Sequence, residues 1–289
     1  MTRDKYSAVW VSHSSISDFI KCPKAYYYHN VYRNPKSGNK VTLINPPLAL
    51  GQTVHEVLES LSSLPVEKRF REPLMSKFDL VWKKVSGEKG GFENIDEEYK
   101  YKKRGMEMIR RVWESPGPLA KLAVKIKMDL PYFWLSEEDN IILCGKIDWL
   151  EYLSETDSIH IIDFKTSKKE ENNNSLQLSI YYLLVQNCQK RNVTVISYWY
   201  LDKDKLPQKK SIPDMDKSRE EILKIAKEIK LARQLSRFVC PKKTGCIFCK
   251  PFEQIVSGNA ELVGLNNYRQ EVYVLNKSRG SESKDSIII

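Results

Sequence analysis

Apolar positions along the chain follow two periods, one after the other. From about Leu48 to Leu64, the residues Leu50, Val54, Val57, Leu58 and Leu61 recur at helical spacing and predict an amphipathic helix. Ahead of it, Ser15 and Asp18 have capping-box spacing and would open a helix carrying Ile16, Phe19 and Ile20. Pro23 interrupts that helix, the aromatic run YYYHNVY follows at 26–32, and residues 34–46 read as a loop. Two further helices are predicted near 66–85 and 94–114, separated by SGEKGGF at 86–92. The period then shortens to two. Residues 122–134, 140–152 and 158–165 predict strands, with a hairpin turn at 154–157 between the last two. A helix at about 175–190, a strand at 194–202, a shorter strand near 207–213 and a charged helix at about 216–236 complete the pattern. The fold class is therefore α/β. The strand–helix–strand unit at 158–202 predicts one parallel crossover in an otherwise mixed sheet.

The 289 residues suffice for one large domain or two small ones. With 41% hydrophobic and 29% charged residues, the composition is that of a soluble globular protein. No apolar run reaches the ~18–20 residues that cross a bilayer. The segment MTRDKYSAVWVSHSS lacks the apolar stretch of a secretory signal, so a cytoplasmic protein without a membrane partner is expected. A net charge of +10 favours polyanionic partners, although the lysines are scattered and a solvated basic surface accounts for them equally. Six cysteines in such a compartment are not expected to form disulfides. Cys144 and Cys188 lie inside apolar patterns and read as small core residues. Cys22, Cys240, Cys246 and Cys249 lie beside turn or helix-boundary signals.

The stretch IIDFKTSKKEENNNSLQLSIYY, 161–182, concentrates the candidate chemistry. Strand side chains alternate, so Asp163 and Lys165 share a face with Ile159 and Ile161. Asp148, in GKID, shares one with Lys146 and Cys144. If 140–152 and 158–165 pair, Asp148 and Asp163 converge, and two carboxylates at one place call for a cation between them. Oxygen ligands with open positions suit Mg²⁺ or Mn²⁺. Lys165 would stabilise charge on a phosphate or position a water. An Asp-x-Lys pair in a strand is also common by chance. His55 lies on the apolar stripe of the 48–64 helix. A lone histidine there is usually a core or boundary residue, yet its imidazole is a good ligand beside carboxylates. Gln177 and Tyr181 are four apart and share a helix face, where they would hold a phosphate, a lysine or a base, or simply pack.

Taken in order, Gly51-x-x-x-His55, Asp148 in GKID, Asp163-Phe164-Lys165 and Gln177-x-x-x-Tyr181 resemble the motifs of RecB-type nucleases of the PD-(D/E)XK superfamily. The chain is also similar to the CRISPR-associated iron–sulfur exonucleases and to the nuclease subunits of bacterial helicase–nuclease complexes. The resemblance runs from Ser14 to about Phe252. It implies a restriction-endonuclease-like mixed central sheet flanked by helices, with an N-terminal helical region and a C-terminal cysteine-rich loop. It places a single nuclease domain at 1–255: a helical part at 14–115, a catalytic sheet core at 120–215, and a helix with the cluster loop at 216–255. Residues 256–289, which include SRGSESKDS, are left as a tail expected to be mobile near its end. His55, Asp148, Asp163 and the backbone carbonyl of Phe164 would hold Mg²⁺ or Mn²⁺. Asp148, Asp163, Lys165, Gln177 and Tyr181 would form the catalytic set.

The resemblance further implies that Cys22, Cys240, Cys246 and Cys249 hold a [4Fe–4S] cluster, with zinc as the less favoured occupant. Members differ in the spacing of the last three, which is x5 then x2 here. The implied activity is a metal-dependent DNA exonuclease acting on single strands or ends, in CRISPR spacer acquisition or in recombination and repair. No G-x-x-x-x-G-K-[ST] motif is present, so the chain brings no recognisable helicase motor: it either works alone or lends its nuclease to a partner, for which the resemblance implies a helicase or a CRISPR integrase. The alternatives are a catalytically inactive DNA-binding module and a structural zinc protein.

Overall fold

The computed structural model describes residues 4–172 and 174–275. Strand β1 (Val9–Val11) leads into α1 (His13–Lys21), α2 (Pro23–Tyr26) and a π-turn at Tyr27–Val31. Strand β2 (Val41–Leu43) precedes three helices, α3 (Pro46–Glu59), α4 (Leu74–Trp82) and α5 (Ile95–Glu114). The strand-rich half holds β3 (Tyr132–Ser136), β4 (Ile141–Cys144), β5 (Trp149–Leu153), β6 (Ser158–Lys165), α6 (Gln177–Cys188), β7 (Val193–Tyr200) and β8 (Gln208–Lys210). The chain continues through α7 (Met215–Gln234), α8 (Lys250–Val256), β9 (Ala260–Leu265) and β10 (Glu271–Leu275). No helix of the described residues is long and apolar enough to cross a membrane.

The mixed α/β architecture follows the expected order. The central sheet is β5-β6-β7-β8, with β6 and β7 parallel through the α6 crossover and the other pairs antiparallel. Every residue of β6 except Lys165 is buried, because both of its faces are covered. Ile159 and Ile161 pack with α6, α7 and α1 through Leu184, Ile222 and Ile16. Ile162 and Phe164 pack on the opposite side with α3, α4 and α5 through Val54, Phe78 and Met108. Asp163 therefore points to the α6 side, since it alternates with Ile162 and Phe164.

Several elements differ from the sequence pattern. The strand expected at 140–152 is two strands in two sheets: β4 lies between β1 and β3, whereas β5 pairs with β6. The break at 145–148 begins at Gly145, where a Cβ would stand 2.9 Å from Leu184 Cδ1. A larger residue there would push the Leu184 side chain of α6 aside. Residues 122–124 run along β5 through the bonds Val124 N–H to Leu150 O and Tyr152 N–H to Leu122 O, and the strand proper starts after Pro131. The capping residue of α1 is Ser12, whose side chain accepts from Ser15 N–H while Ser15 Oγ accepts from Ser12 N–H. Asp18, assigned to that box, instead bonds His29 and Asn30. Between 66 and 85 the α-helix begins only at Leu74, after Pro73, preceded by a short 3₁₀ turn at Val66–Lys68.

The segment assigned to a tail from 256 onward is folded as far as Leu275. Strands β9 and β10 form an antiparallel hairpin, and β10 adds β2 as a parallel neighbour. The expected tail SRGSESKDS lies outside the described residues.

Candidate functional site

The end of β6, the start of α6, the segment before β5 and the middle of α3 meet in one cleft. His55, Asp148, Asp163, Phe164, Lys165, Gln177 and Tyr181, all singled out in the sequence, line it. Asp148 sits just before β5 and accepts the Phe164 N–H through Oδ2 at 2.8 Å. This bond draws the two acidic segments together, as the strand pairing required. His55 Nδ1, from α3, lies 3.4 Å from Asp148 Oδ1. At Gly51, one turn earlier, an added Cβ would lie 3.3 Å from Thr166 Oγ1, so α3 passes close to the end of β6.

Gln177 organises the other half. Its Nε2 donates to Asp163 Oδ1 at 2.7 Å, and its Oε1 accepts from the Lys165 ammonium. The same Nε2 lies 3.2 Å from the Tyr181 hydroxyl, one turn along α6. Lys165 Nζ stands 2.9 Å from Asp163 Oδ2, 3.3 Å from Glu171 Oε2, and over the Tyr198 ring. A neutral amide thus bridges a buried anion and a cation and fixes both in place.

The electrostatics are those of a centre short of positive charge. Burial, reinforced by the Asp148 carboxylate, raises the Asp163 pKa to about 7. Burial would lower the His55 pKa, but Asp148 outweighs it and raises the imidazole to about 10. Lys165 is likewise pulled down by burial and held higher overall by Asp163. Asp163 Oδ2 is buried without an aligned hydrogen bond. Its one charged neighbour is the Lys165 ammonium, and with a second carboxylate and an imidazole in the same cleft the donor set fits a divalent cation.

One residue of the cleft region escaped the sequence reading. Ligand atoms of His55, Glu59 and Asp148 all lie within 4.8 Å of one another. Glu59 is one turn beyond His55 on α3, and that i, i+4 spacing was the available signal. It also pairs with Lys146.

The four cysteines expected to act together do meet. The sulfurs of Cys22, Cys240, Cys246 and Cys249 lie within 4.8 Å of one another. Cys22 is the residue between α1 and α2, so the group ties the first helices to the loop before α8. Burial opposes ionisation of Cys246, but the N–H groups of Cys249 and Phe248 outweigh it and lower its pKa to about 6. Cys144 and Cys188 lie elsewhere, Cys144 buried on β4 and Cys188 at the end of α6.

A groove of about 1650 Å³ joins the two sites. His55, Glu59 and Asp148 lie at one part of its wall, and Ile247 and Phe248 of the cysteine loop at another. Lys21, Lys84, Lys125 and Lys146 line it, as do residues 263–268 of the β9–β10 hairpin. Tyr268, near the hairpin tip, is 79% exposed.

A second polar row crosses the central sheet. Ser197 Oγ lies 2.7 Å from His160 Nε2, and His160 Nδ1 lies 2.7 Å from Glu151 Oε2. The order is that of a serine–histidine–acid triad, but all three are buried and no substrate reaches them. The row binds β7, β6 and β5 to one another.

The sequence profile of the PD-(D/E)XK nuclease superfamily matches residues 10–251, most of the chain. No curated protein matches it.

Proposed function

Since the chain belongs to the PD-(D/E)XK nuclease superfamily, we propose that the cleft at the end of β6 hydrolyses DNA with the aid of a divalent metal. The observation that carries this reading is the arrangement around Gln177. One amide holds Asp163 and Lys165 side by side, next to the Asp148–His55 pair.

Asp148, Asp163, His55 and the Phe164 carbonyl would hold Mg²⁺ or Mn²⁺, with Glu59 completing the set. When bound, the metal supplies Lewis-acid stabilisation of the phosphate and eases deprotonation of the attacking water. Lys165 places a fixed ammonium beside that phosphate, where negative charge grows as the bond to the leaving oxygen lengthens. Gln177 Oε1 accepts one Lys165 proton while Asp163 Oδ2 faces another, which fixes the ammonium between them. Tyr181 holds the Gln177 amide in its orientation. His55 carries a proton while no metal is present, and it must lose that proton to bind one.

The substrate would lie in the groove beside the cleft, with lysines on the phosphates and Tyr268 against a base. Stacking on an exposed aromatic suits unpaired bases, which favours an exonuclease acting on single strands or ends. Its setting would be DNA processing beside a helicase or a CRISPR integrase, the partners the resemblance implies.

The test is degradation of labelled linear duplex, circular and single-stranded DNA with Mg²⁺ or Mn²⁺. Wild type should degrade the linear or single-stranded forms and Asp163→Ala should not. Equal, background rates for the two proteins would end this reading and leave an inactive DNA-binding module.

A further inference from the structure

The cysteine site carries an identity of its own. Cys246 Sγ lies 3.7 Å from Cys249 Sγ, which lies 3.7 Å from Cys240 Sγ. With Cys22, every sulfur is within 4.8 Å of every other. Four thiolates around one zinc ion, at Zn–S distances of ≈ 2.3 Å, stand about 3.8 Å apart at the corners of a tetrahedron. A [4Fe–4S] cluster makes a different demand. It places four irons and four sulfides inside the cysteine sulfurs, each thiolate lying outside its own iron, so the sulfurs must stand much further apart. The space enclosed here has room for one ion and not for a cubane.

We propose that Cys22, Cys240, Cys246 and Cys249 bind a single tetrahedral zinc ion rather than the iron–sulfur cluster that the resemblance implies. The surrounding backbone serves such a site. Cys246 N–H donates to Cys249 Sγ at 3.2 Å, and Lys242 N–H donates to Cys240 Sγ at 3.4 Å. These bonds spread the charge of a dianionic zinc tetrathiolate and orient its ligands. The turn from Cys246 is closed by Cys249 N–H and Lys250 N–H, which both donate to Cys246 O. Four protein ligands leave no open position, so the ion is structural. It fixes Ile247 and Phe248, between the second pair of ligands, as part of the groove wall.

The test uses the full chain, purified anaerobically from cells supplied with both iron and zinc. Elemental analysis, visible absorption and metal release by a mercurial thiol reagent are read together. The mercurial separates thiolate-held zinc from any ion on the histidine and carboxylates of the nuclease cleft. The expected result is a colourless protein with about one zinc per chain released by the mercurial. Replacement by Co²⁺ should give intense thiolate-to-cobalt absorption. Cys246→Ser should lose that zinc, whereas Cys144→Ser and Cys188→Ser should keep it. A brown protein containing iron and inorganic sulfide overturns the proposal, and so does a protein with no mercurial-released metal. Both of these measurements are made on the wild type, so they decide the matter even if a variant fails to fold.

Discussion

Asp163 offers a measurement that needs no substrate. It is 1% exposed and its pKa is raised from 3.8 to about 7, by burial first and by Asp148 second. A carboxyl raised on folding stabilises the protein fully below about pH 4, and that stabilisation is lost as the pH climbs through about 7. At 1.36 kcal/mol per pKa unit the full loss is about 4 kcal/mol, and more than half of it falls between pH 5 and 8. His55, raised to about 10, contributes a slope of the same sign above pH 6.5, and that slope persists in a variant that keeps Asp148. The assay is urea unfolding of wild type and Asp163→Asn at several pH values, without divalent metal in the cleft. The free energy of the variant should fall less between pH 5 and 8, by about 2–3 kcal/mol. Adding Mn²⁺ at pH 8 should restore the wild type more than the variant, since the metal replaces the missing proton. Parallel pH profiles for the two proteins would refute the account of Asp163 as a buried acid awaiting a cation.

Lys165→Ala should lower kcat by about 10²–10³-fold, and Lys165→Arg should not restore it, because a planar guanidinium does not fit between Asp163 and Gln177; single-turnover cleavage reads both. Glu59→Gln should weaken the apparent Mn²⁺ affinity by about 10–100-fold with little loss at saturating metal, as measured by metal titration of the rate. Tyr268→Ala should raise KM for single-stranded DNA with kcat unchanged, by the factor of about 5 to 150 that corresponds to about 1–3 kcal/mol of stacking; an unchanged KM removes the hairpin from the substrate path. Glu151→Ala should destabilise the fold by about 3 kcal/mol, measured by denaturant unfolding, because His160 loses its carboxylate in a sealed core.

The candidate site was more legible than its scaffold. Strand β6 could be read to the residue because coverage on both faces forces an unbroken apolar run, and Asp163 and Lys165 stand out against it. Gln177 and Tyr181 were legible because helical spacing alone puts them on one face. The division between β4 and β5 was not, since NIILCGKIDWLEY keeps a strand-like pattern through the break. Gly145, the residue at the break, lies against Leu184 of α6, a contact no local pattern encodes. The β9–β10 hairpin was missed for another reason: β9 is largely exposed, so no apolar alternation marks it. Glu59 was passed over because an acid in LALGQTVHEVLESL reads as the wet face of a helix. Its partner Asp148 arrives from far along the chain.

The meeting of Cys22 with Cys240, Cys246 and Cys249 also orders events during synthesis. At about 5–20 residues per second, a ribosome needs roughly ten to forty-five seconds to travel from the first of these cysteines to the last. Throughout that interval Cys22 has no completed ligand set to join. The four-cysteine group therefore closes only on a chain that has already produced the central sheet, α6 and α7, and a prematurely ended product cannot assemble it.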